Sequence, residues 1–215
     1  MPTTLKIDFV SDVSCPWCII GLNALEQAAD RLKGEVALDL HFQPFELNPQ
    51  MAPEGQDIGE HLQEKYGATP EQSQKNREAI AARGAALGFT FNMDKRSRIY
   101  NTFDAHRLLH WAEEKGVQPA LKKALFKAYF TDGQSPGDHD VLVRVAGEVG
   151  LDAAEAREVL VSGRYADEVR EREQFYLQHG IHSVPAIIVN DRHLIQGGQP
   201  VEVFEQALRQ IAGEG

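Results

Sequence analysis

The sequence predicts an α/β fold in which a βαβ unit and a later ββα unit enclose a large inserted α-helical domain. Residues 5–11 are rich in strand-forming side chains, residues 16–32 carry an apolar face at helical spacing, and residues 36–42 alternate apolar and polar side chains. A strand, a helix and a strand within about 40 residues are typical of a βαβ unit. The later unit follows from two short apolar runs and one amphipathic segment near residue 200.

The first helix has clear start and stop signals. Pro16 stands at its first position, where the fixed φ of proline suits the helix. Gly34 is a natural stop after it. The apolar face consists of residues three or four positions apart, namely Cys18, Leu22, Leu25, Ala29 and Leu32. We therefore expect Cys18 to be covered by the core.

The later unit is predicted from residues 185–212. Residues 185–190 form one apolar run and residues 193–195 a shorter one. Because the connection between them is so short, we expect a β-hairpin. Residues 200–212 place their apolar side chains on one side and predict an amphipathic helix.

The segment between the two units reads as helical throughout, with glycine, proline or a capping side chain at each boundary. The predicted helices cover residues 57–66, 70–87, 97–115, 119–130, 138–149, 153–161 and 165–179. We assign residues 1–46 and 181–215 to the α/β domain, and residues 47–180 to the inserted helical domain.

Composition narrows the function classes. The chain has 22 basic and 32 acidic side chains and a net charge of −10, which disfavours nucleic acids and anionic membranes as partners. No apolar run approaches the roughly 20 residues that a membrane span needs. Charged residues also interrupt the first ten positions, where a signal peptide needs an apolar core, so we expect a cytoplasmic protein.

The two cysteines of the chain lie three positions apart, in Cys15-Pro16-Trp17-Cys18. A cysteine at a helix start meets unpaired N–H groups and the positive end of the helix dipole, which favour the thiolate and lower the thiol pKa. We expect Cys15 to be exposed there as the nucleophile. Cys18, one turn further on, would resolve the mixed disulfide.

Two other interpretations of the pair remain open, a zinc site and an inert structural thiol pair. A closed zinc site usually takes four ligands. The chain has no further cysteine, and its eight histidines show no close pairing beside a turn. We therefore favour redox chemistry and predict no metal.

The segment Ser183-Val184-Pro185 enters the first strand of the predicted hairpin. Proline is permitted at the first position of a strand, which is the structural interpretation. The functional interpretation is a cis Val184–Pro185 bond that faces the cysteines, so that the backbone of Val184 can bind an extended substrate. The βαβ and ββα context favours the second interpretation.

At this point the ordered set of motifs resembles the DsbA family, and more specifically its FrnE-type branch. The set comprises the CPWC segment after a short strand, the helical insertion, the segment 180–185, and the further segments 101–108 and 197–199. The similarity covers nearly the whole chain. It implies a thioredoxin fold with a helical domain that caps the active site. It further implies Cys15 as nucleophile, Cys18 as resolving thiol and Pro185 as the cis proline.

Pro16 and Pro185 are predicted to contact the substrate as well, and three more predicted site residues depend on the same resemblance. Periplasmic DsbA proteins usually carry histidine at the position of Trp17, where an indole ring would cover the sulfur and bind an apolar substrate segment. Segments similar to that of Asn101 and His106 line a small-molecule pocket in the wider family. For His106, a role as a hydrogen-bonded packing residue is an equal or better interpretation.

The leading functional prediction is a thiol–disulfide oxidoreductase or isomerase that acts on disulfide-containing proteins or small thiols. It requires no cofactor, although glutathione would serve as a redox partner. One alternative is a glutathione-dependent isomerase or transferase of a small aromatic metabolite, in which serine typically replaces the first cysteine. The other is a redox-regulated, chaperone-like binding module.

Overall fold

The computed structural model describes residues 1–214, in which nine helices and six strands are formed. The strands are β1 (Thr3–Ser11), β2 (Val36–Pro44), β3 (Gln56–Asp57), β4 (Arg98–Ile99), β5 (Ala186–Val189) and β6 (His193–Gln196). The helices are α1 (Pro16–Arg31), α2 (Ile58–Tyr66), α3 (Pro70–Ala86), α4 (Phe103–Glu114), α5 (Gln118–Phe130), α6 (His139–Glu148), α7 (Ala153–Ser162), α8 (Ala166–Gln178) and α9 (Val201–Ala212).

The main sheet has the strand order β2-β1-β5-β6 and confirms both predicted units. β1 and β2 run parallel over their whole length, from Thr3 opposite Val36 to Ser11 opposite Pro44, with α1 as the connection. β5 pairs antiparallel with β1, and β6 antiparallel with β5. The carboxyl end of β1 therefore leads directly into the CPWC segment.

Burial follows the predicted patterns. Leu5, Ile7 and Phe9 of β1 are at most 1% exposed, and the apolar face of α1 is buried with them. α1 packs against α9, whose apolar face includes Phe204 and Leu208. At the end of α1, Arg31 also pairs with Glu202 and Glu205 of α9.

The inserted segment departs from the prediction in one place. The predicted helix over residues 97–115 begins only at Phe103, because residues 98–99 form β4 and pair with β3. The Ser97 carbonyl accepts a hydrogen bond from the Ile58 N–H (3.0 Å), and the Asn101 side chain accepts one from the Phe103 N–H (2.9 Å). These bonds give the backbone partners outside a helix, so the segment is not helical throughout.

The hydrophobic core crosses the predicted domain boundary. Phe91, Met93 and Phe126 from the insertion belong to the same buried cluster as the side chains of β1 and α1. Because the two predicted domains share this core, the domain boundaries at residues 46 and 181 stay a prediction. Within residues 1–214, no helix is both long and apolar enough to cross a membrane.

Candidate active site

The cysteine pair opens α1, as predicted. Cys15 is the N-cap residue, Pro16 takes the first helical position, and the Cys18 N–H donates to the Cys15 carbonyl (3.2 Å). The Cys15 N–H donates to the Asp12 carbonyl (3.1 Å), which fixes the turn between β1 and α1. The Cys15 sulfur accepts no capping hydrogen bond from the helix amides.

The expected exposure of Cys15 was wrong. Both cysteines are free thiols, yet Cys15 is only 4% exposed and Cys18 is fully buried. The reason is that Cys15 faces a cavity whose walls come from the insertion and from the loop before β5. That cover could not be read from the local sequence.

The Val184–Pro185 bond is cis, as predicted, and lies beside the first turn of α1. The Cys15 Sγ is 3.9 Å from the Val184 carbonyl oxygen. The close approach between α1 and the segments around Pro185 and Gly198 depends on two glycines. A Cβ at Gly21 would lie 3.1 Å from the Pro185 ring, and one at Gly198 would lie 3.0 Å from the Trp17 carbonyl. These positions allow the proline loop to pack directly against α1.

A cavity of about 630 Å³ opens in front of Cys15, and we call it the thiol cavity. Four predicted site residues line it, namely Cys15, Pro16, Trp17 and Val184. Its other walls come from the segment after β2, from α2 and α3, and from residues 93–99. Trp17 is 37% exposed, and the Arg83 guanidinium lies 5.1 Å from its ring centre.

Asn101 and His106 are not among the described residues that line the thiol cavity. The Asn101 amide donates to the Met51 carbonyl (3.2 Å) and caps the turn before α4. His106 is 3% exposed, and its Nε2 lies 3.3 Å from Asp12 Oδ1 and 3.1 Å from the Phe45 carbonyl oxygen. Because both neighbours are acceptors, Nε2 carries the hydrogen and donates.

Asp12 is a buried carboxylate that sequence reasoning missed. It is 1% exposed, and its Oδ2 accepts from the Leu47 N–H (2.8 Å) and the Ser14 hydroxyl (3.1 Å). Burial raises the pKa of Asp12, but the hydrogen bond and charge of His106 and the Leu47 N–H outweigh it, so the pKa is lowered overall. Asp12 ties the β1–α1 turn to the insertion.

Lys122 is a second buried charged residue that sequence reasoning missed. It lies in α5 with no exposed surface, and its Nζ stands over the rings of Phe42 (5.6 Å) and Phe126 (5.1 Å). Within residues 1–214 this Nζ has no hydrogen-bond partner. The signal was a lysine on an apolar helical stripe, four residues before Phe126 and seven before Tyr129.

Lys122 and Cys18 influence each other's pKa values, and Cys15 affects both. Burial lowers the pKa of Lys122 to about 8, against the opposing effect of Cys18, Asp12 and Cys15. Burial raises the pKa of Cys18 well above its ordinary value, Cys15 raises it further, and Lys122 lowers it. We call Asp12, Cys18, His106 and Lys122 the buried cluster. His110 and Arg172 are further titratable or charged groups beside Lys122, and they line a small cavity with it.

The described part of the chain holds no group of three or more His, Cys, Asp or Glu side chains placed to bind a metal ion. The arrangement instead gives one thiol access to a cavity and seals the other behind it.

The known proteins that this chain resembles match it over nearly its whole length. A family model for the DSBA-like thioredoxin domain matches residues 6–209. The uncharacterized protein YwbO of Bacillus subtilis strain 168 is 30% identical over 206 residues, which are 95% of this chain and 96% of YwbO. A probable DsbA oxidoreductase with a crystal structure, SCO1869 from Streptomyces coelicolor, shares 37% sequence identity with this chain. The two structures superpose with a TM-score of 0.90 over 98% of this chain and 91% of SCO1869.

A third structure shares the fold at lower identity. The cytosolic disulfide reductase DsbM from Pseudomonas aeruginosa, solved with GSH, is 18% identical with a TM-score of 0.66. The match covers 96% of this chain and 98% of DsbM. The similarity therefore extends from β1 into α9.

Proposed function

Because the chain belongs to the family of the DSBA-like thioredoxin domain, we propose that it exchanges disulfides through Cys15 and Cys18. One observation carries the proposal: two free thiols open α1, one lining the thiol cavity and the other sealed behind it. This asymmetry gives the two sulfurs different tasks. The FrnE-type branch and the cytoplasmic location stay predictions.

In the first step, the Cys15 sulfur reacts as a thiolate with a substrate disulfide in the thiol cavity. A bond forms between Cys15 Sγ and one substrate sulfur, the substrate S–S bond breaks, and the other sulfur leaves as a thiolate that takes up a proton. Cys15 is suited to this step because it lines the cavity.

In the second step, Cys18 attacks the mixed disulfide. Its sulfur loses a proton, bonds to Cys15 Sγ, and expels the second substrate thiol. The two enzyme thiols thereby supply two electrons to the substrate, and the reverse sequence oxidises a dithiol. Since burial raises the pKa of Cys18, the positive charge of Lys122 assists this step by stabilising the Cys18 thiolate.

Val184 supports the proposal as a substrate contact. The pairing of β5 with β1 begins at Ala186, so Val184 lies outside the hydrogen-bonded part of the sheet. Its carbonyl faces the Cys15 sulfur. A substrate held at Val184 would bring its sulfur to Cys15. Disulfide-containing proteins and small thiols are the proposed partners, and glutathione is the proposed small one. The fold shared with DsbM, a structure solved with GSH, supports that choice.

Turnover of a disulfide by the two serine variants tests this function. The reduced protein should accelerate insulin reduction by dithiothreitol. Cys15→Ser should lower that rate by at least about 10³-fold, because the nucleophile is lost. Cys18→Ser should lower it less, since an external thiol can replace the resolving step. Circular dichroism of both variants controls for folding.

Full activity in Cys15→Ser would overturn the proposal. If that variant then turned over an aromatic substrate with glutathione, the isomerase alternative would replace it. If both variants instead suppressed aggregation as well as the natural protein, the binding-module alternative would be favoured.

A further inference from the structure

The thiol cavity differs in charge from the protein as a whole. The chain has a net charge of −10. Among the described residues that line the cavity, however, Lys65, Arg77 and Arg96 are cations and Glu46 alone is a carboxylate. Glu46 is bound by Arg170, so its charge is already compensated. The cavity therefore attracts anions, although the average surface repels them.

Arg96 is the cation with free binding capacity. Its guanidinium lies 5.1 Å from the ring centre of Tyr129 and 4.7 Å from that of Phe130. Within residues 1–214 its Nε is buried without a hydrogen-bond partner. No described carboxylate forms an ion pair with it either. The aromatic faces fix the plane of the guanidinium, and a carboxylate that enters the cavity can accept a charged hydrogen bond from it.

The other two cations already have partners. The Lys65 Nζ donates to the Leu47 carbonyl (2.8 Å) and to Asn48 Oδ1 (2.7 Å). The Arg77 guanidinium donates to the Met93 carbonyl (2.9 Å) and lies 3.4 Å from Asp94 Oδ1. The partners of Lys65 are uncharged, so Lys65 contributes positive potential, whereas Asp94 compensates the charge of Arg77. Arg96 can add a direct contact.

We infer that the thiol cavity selects small disulfides that carry carboxylates, and that Arg96 binds one carboxylate while the disulfide reaches Cys15. This inference rests on the proposed function and names its substrate class. A volume of about 630 Å³ suits a small molecule rather than a folded protein. Positive potential raises the local concentration of an anionic substrate, and a charged hydrogen bond at Arg96 orients it.

Three disulfides of similar length and different charge test the inference. They are dithiodipropionate, a dianion, bis(hydroxyethyl) disulfide, which is neutral, and cystamine, a dication. For each, kcat/KM of the reduced protein is divided by the rate of uncatalysed exchange with dithiothreitol, which removes differences in intrinsic reactivity. We expect the dianion to exceed the neutral disulfide by about tenfold, and cystamine to fall below both.

Arg96→Gln should lower the dianion-to-neutral ratio by about fivefold, because a charged hydrogen bond is lost while Lys65 keeps its charge. Arg96→Lys should lower it less, since the charge stays but the planar fork is lost. Arg192→Gln is the matched control. It removes the same charge from an exposed residue between β5 and β6, so the ratio should not change.

Salt provides a second measurement that needs no variant. The kcat/KM of the natural protein for the dianion should fall as ionic strength rises from about 0.1 M to about 1 M, while that for the neutral disulfide stays constant. An unchanged ratio in Arg96→Gln, or a dianion rate independent of salt, would overturn the inference and leave the proposed function standing. If the reduced protein accelerated the reduction of insulin but turned over none of the three disulfides, the inference alone would fail, and if it acted on neither, the proposed function itself would fail.

Discussion

Arg96 and Lys122 each hold a buried nitrogen without a hydrogen-bond partner in the described part of the chain, and each stands over two aromatic rings. Their surroundings differ. Arg96 is half-buried and lines the thiol cavity, whereas Lys122 has no exposed surface. A cation beside an open volume can bind a ligand. A sealed cation can act only on charges that the protein itself contains.

The buried cluster and the thiol cavity therefore serve the two sulfurs differently. In the cluster, Asp12 and Lys122 are fixed charges in a medium of low dielectric, where removing one charge affects the others strongly. In the cavity, water screens the cations until a ligand enters. We expect substitutions in the cluster to change stability and the second chemical step, and substitutions in the cavity to change substrate choice.

Asp12→Ala should have the largest effect on stability. It leaves the Leu47 N–H without its buried acceptor and His106 with the Phe45 carbonyl alone, so the free energy of unfolding should fall by about 3–5 kcal/mol. Denaturant unfolding measures it. Asp191→Asn is the control, because that exposed carboxylate pairs with Lys6 at 2.6 Å and its charge should contribute little to stability, while asparagine tolerates the left-handed backbone at this position. Equal losses in both variants would contradict the distinction between buried and exposed pairs.

The pH dependence of stability provides an independent check on Asp12. Its pKa is lower in the folded than in the unfolded state, so its contribution is complete above about pH 4 and is lost as the pH falls below that value. Asp12→Asn should remove this part of the acid dependence. An acid unfolding curve with the same slope as that of the natural protein would contradict the assignment.

Lys122→Met should have a smaller effect, and on a rate rather than on stability. Without the positive charge, the Cys18 thiolate is less stable, so release of the second substrate thiol should slow by about tenfold while release of the first changes less. Rapid-mixing measurements of the two releases separate the steps. Lys123→Met is the control, because Lys123 is half-exposed and pairs with Glu26 at 2.6 Å.

The effect of Lys122 should also depend on pH. With a pKa of about 8, its ammonium carries the charge below that pH and loses it above. The ratio of the natural rate to the Lys122→Met rate should therefore fall as the pH rises through about 8. A constant ratio would show that Lys122 acts through packing alone.

Local patterns predicted the two outer units and the place of the cysteines. Strand alternation, the helical face that ends before Gly34 and the proline at position 16 depend on neighbouring residues, and the structure agrees with them. The cis bond before Pro185 was predicted from the order of the units rather than from its own neighbours.

Contacts between distant residues could not be predicted in the same way. Asp12 and His106 are 94 positions apart, and the sequence does not show that they meet. The burial of Cys15 depends on walls supplied by the insertion. Lys122 did leave a signal, a charge on an apolar stripe, but two-residue periodicity and helical spacing do not say which buried group it faces.

The most direct test is to identify the cysteine that carries the mixed disulfide. Reduced Cys18→Ser and reduced Cys15→Ser are mixed with a small disulfide, quenched with acid and mapped by mass spectrometry. We predict a substrate adduct on Cys15 in the first variant and an unmodified Cys18 in the second, because only Cys15 lines the thiol cavity. An adduct that forms on Cys18 as fast as on Cys15 would contradict the division of tasks between the two sulfurs.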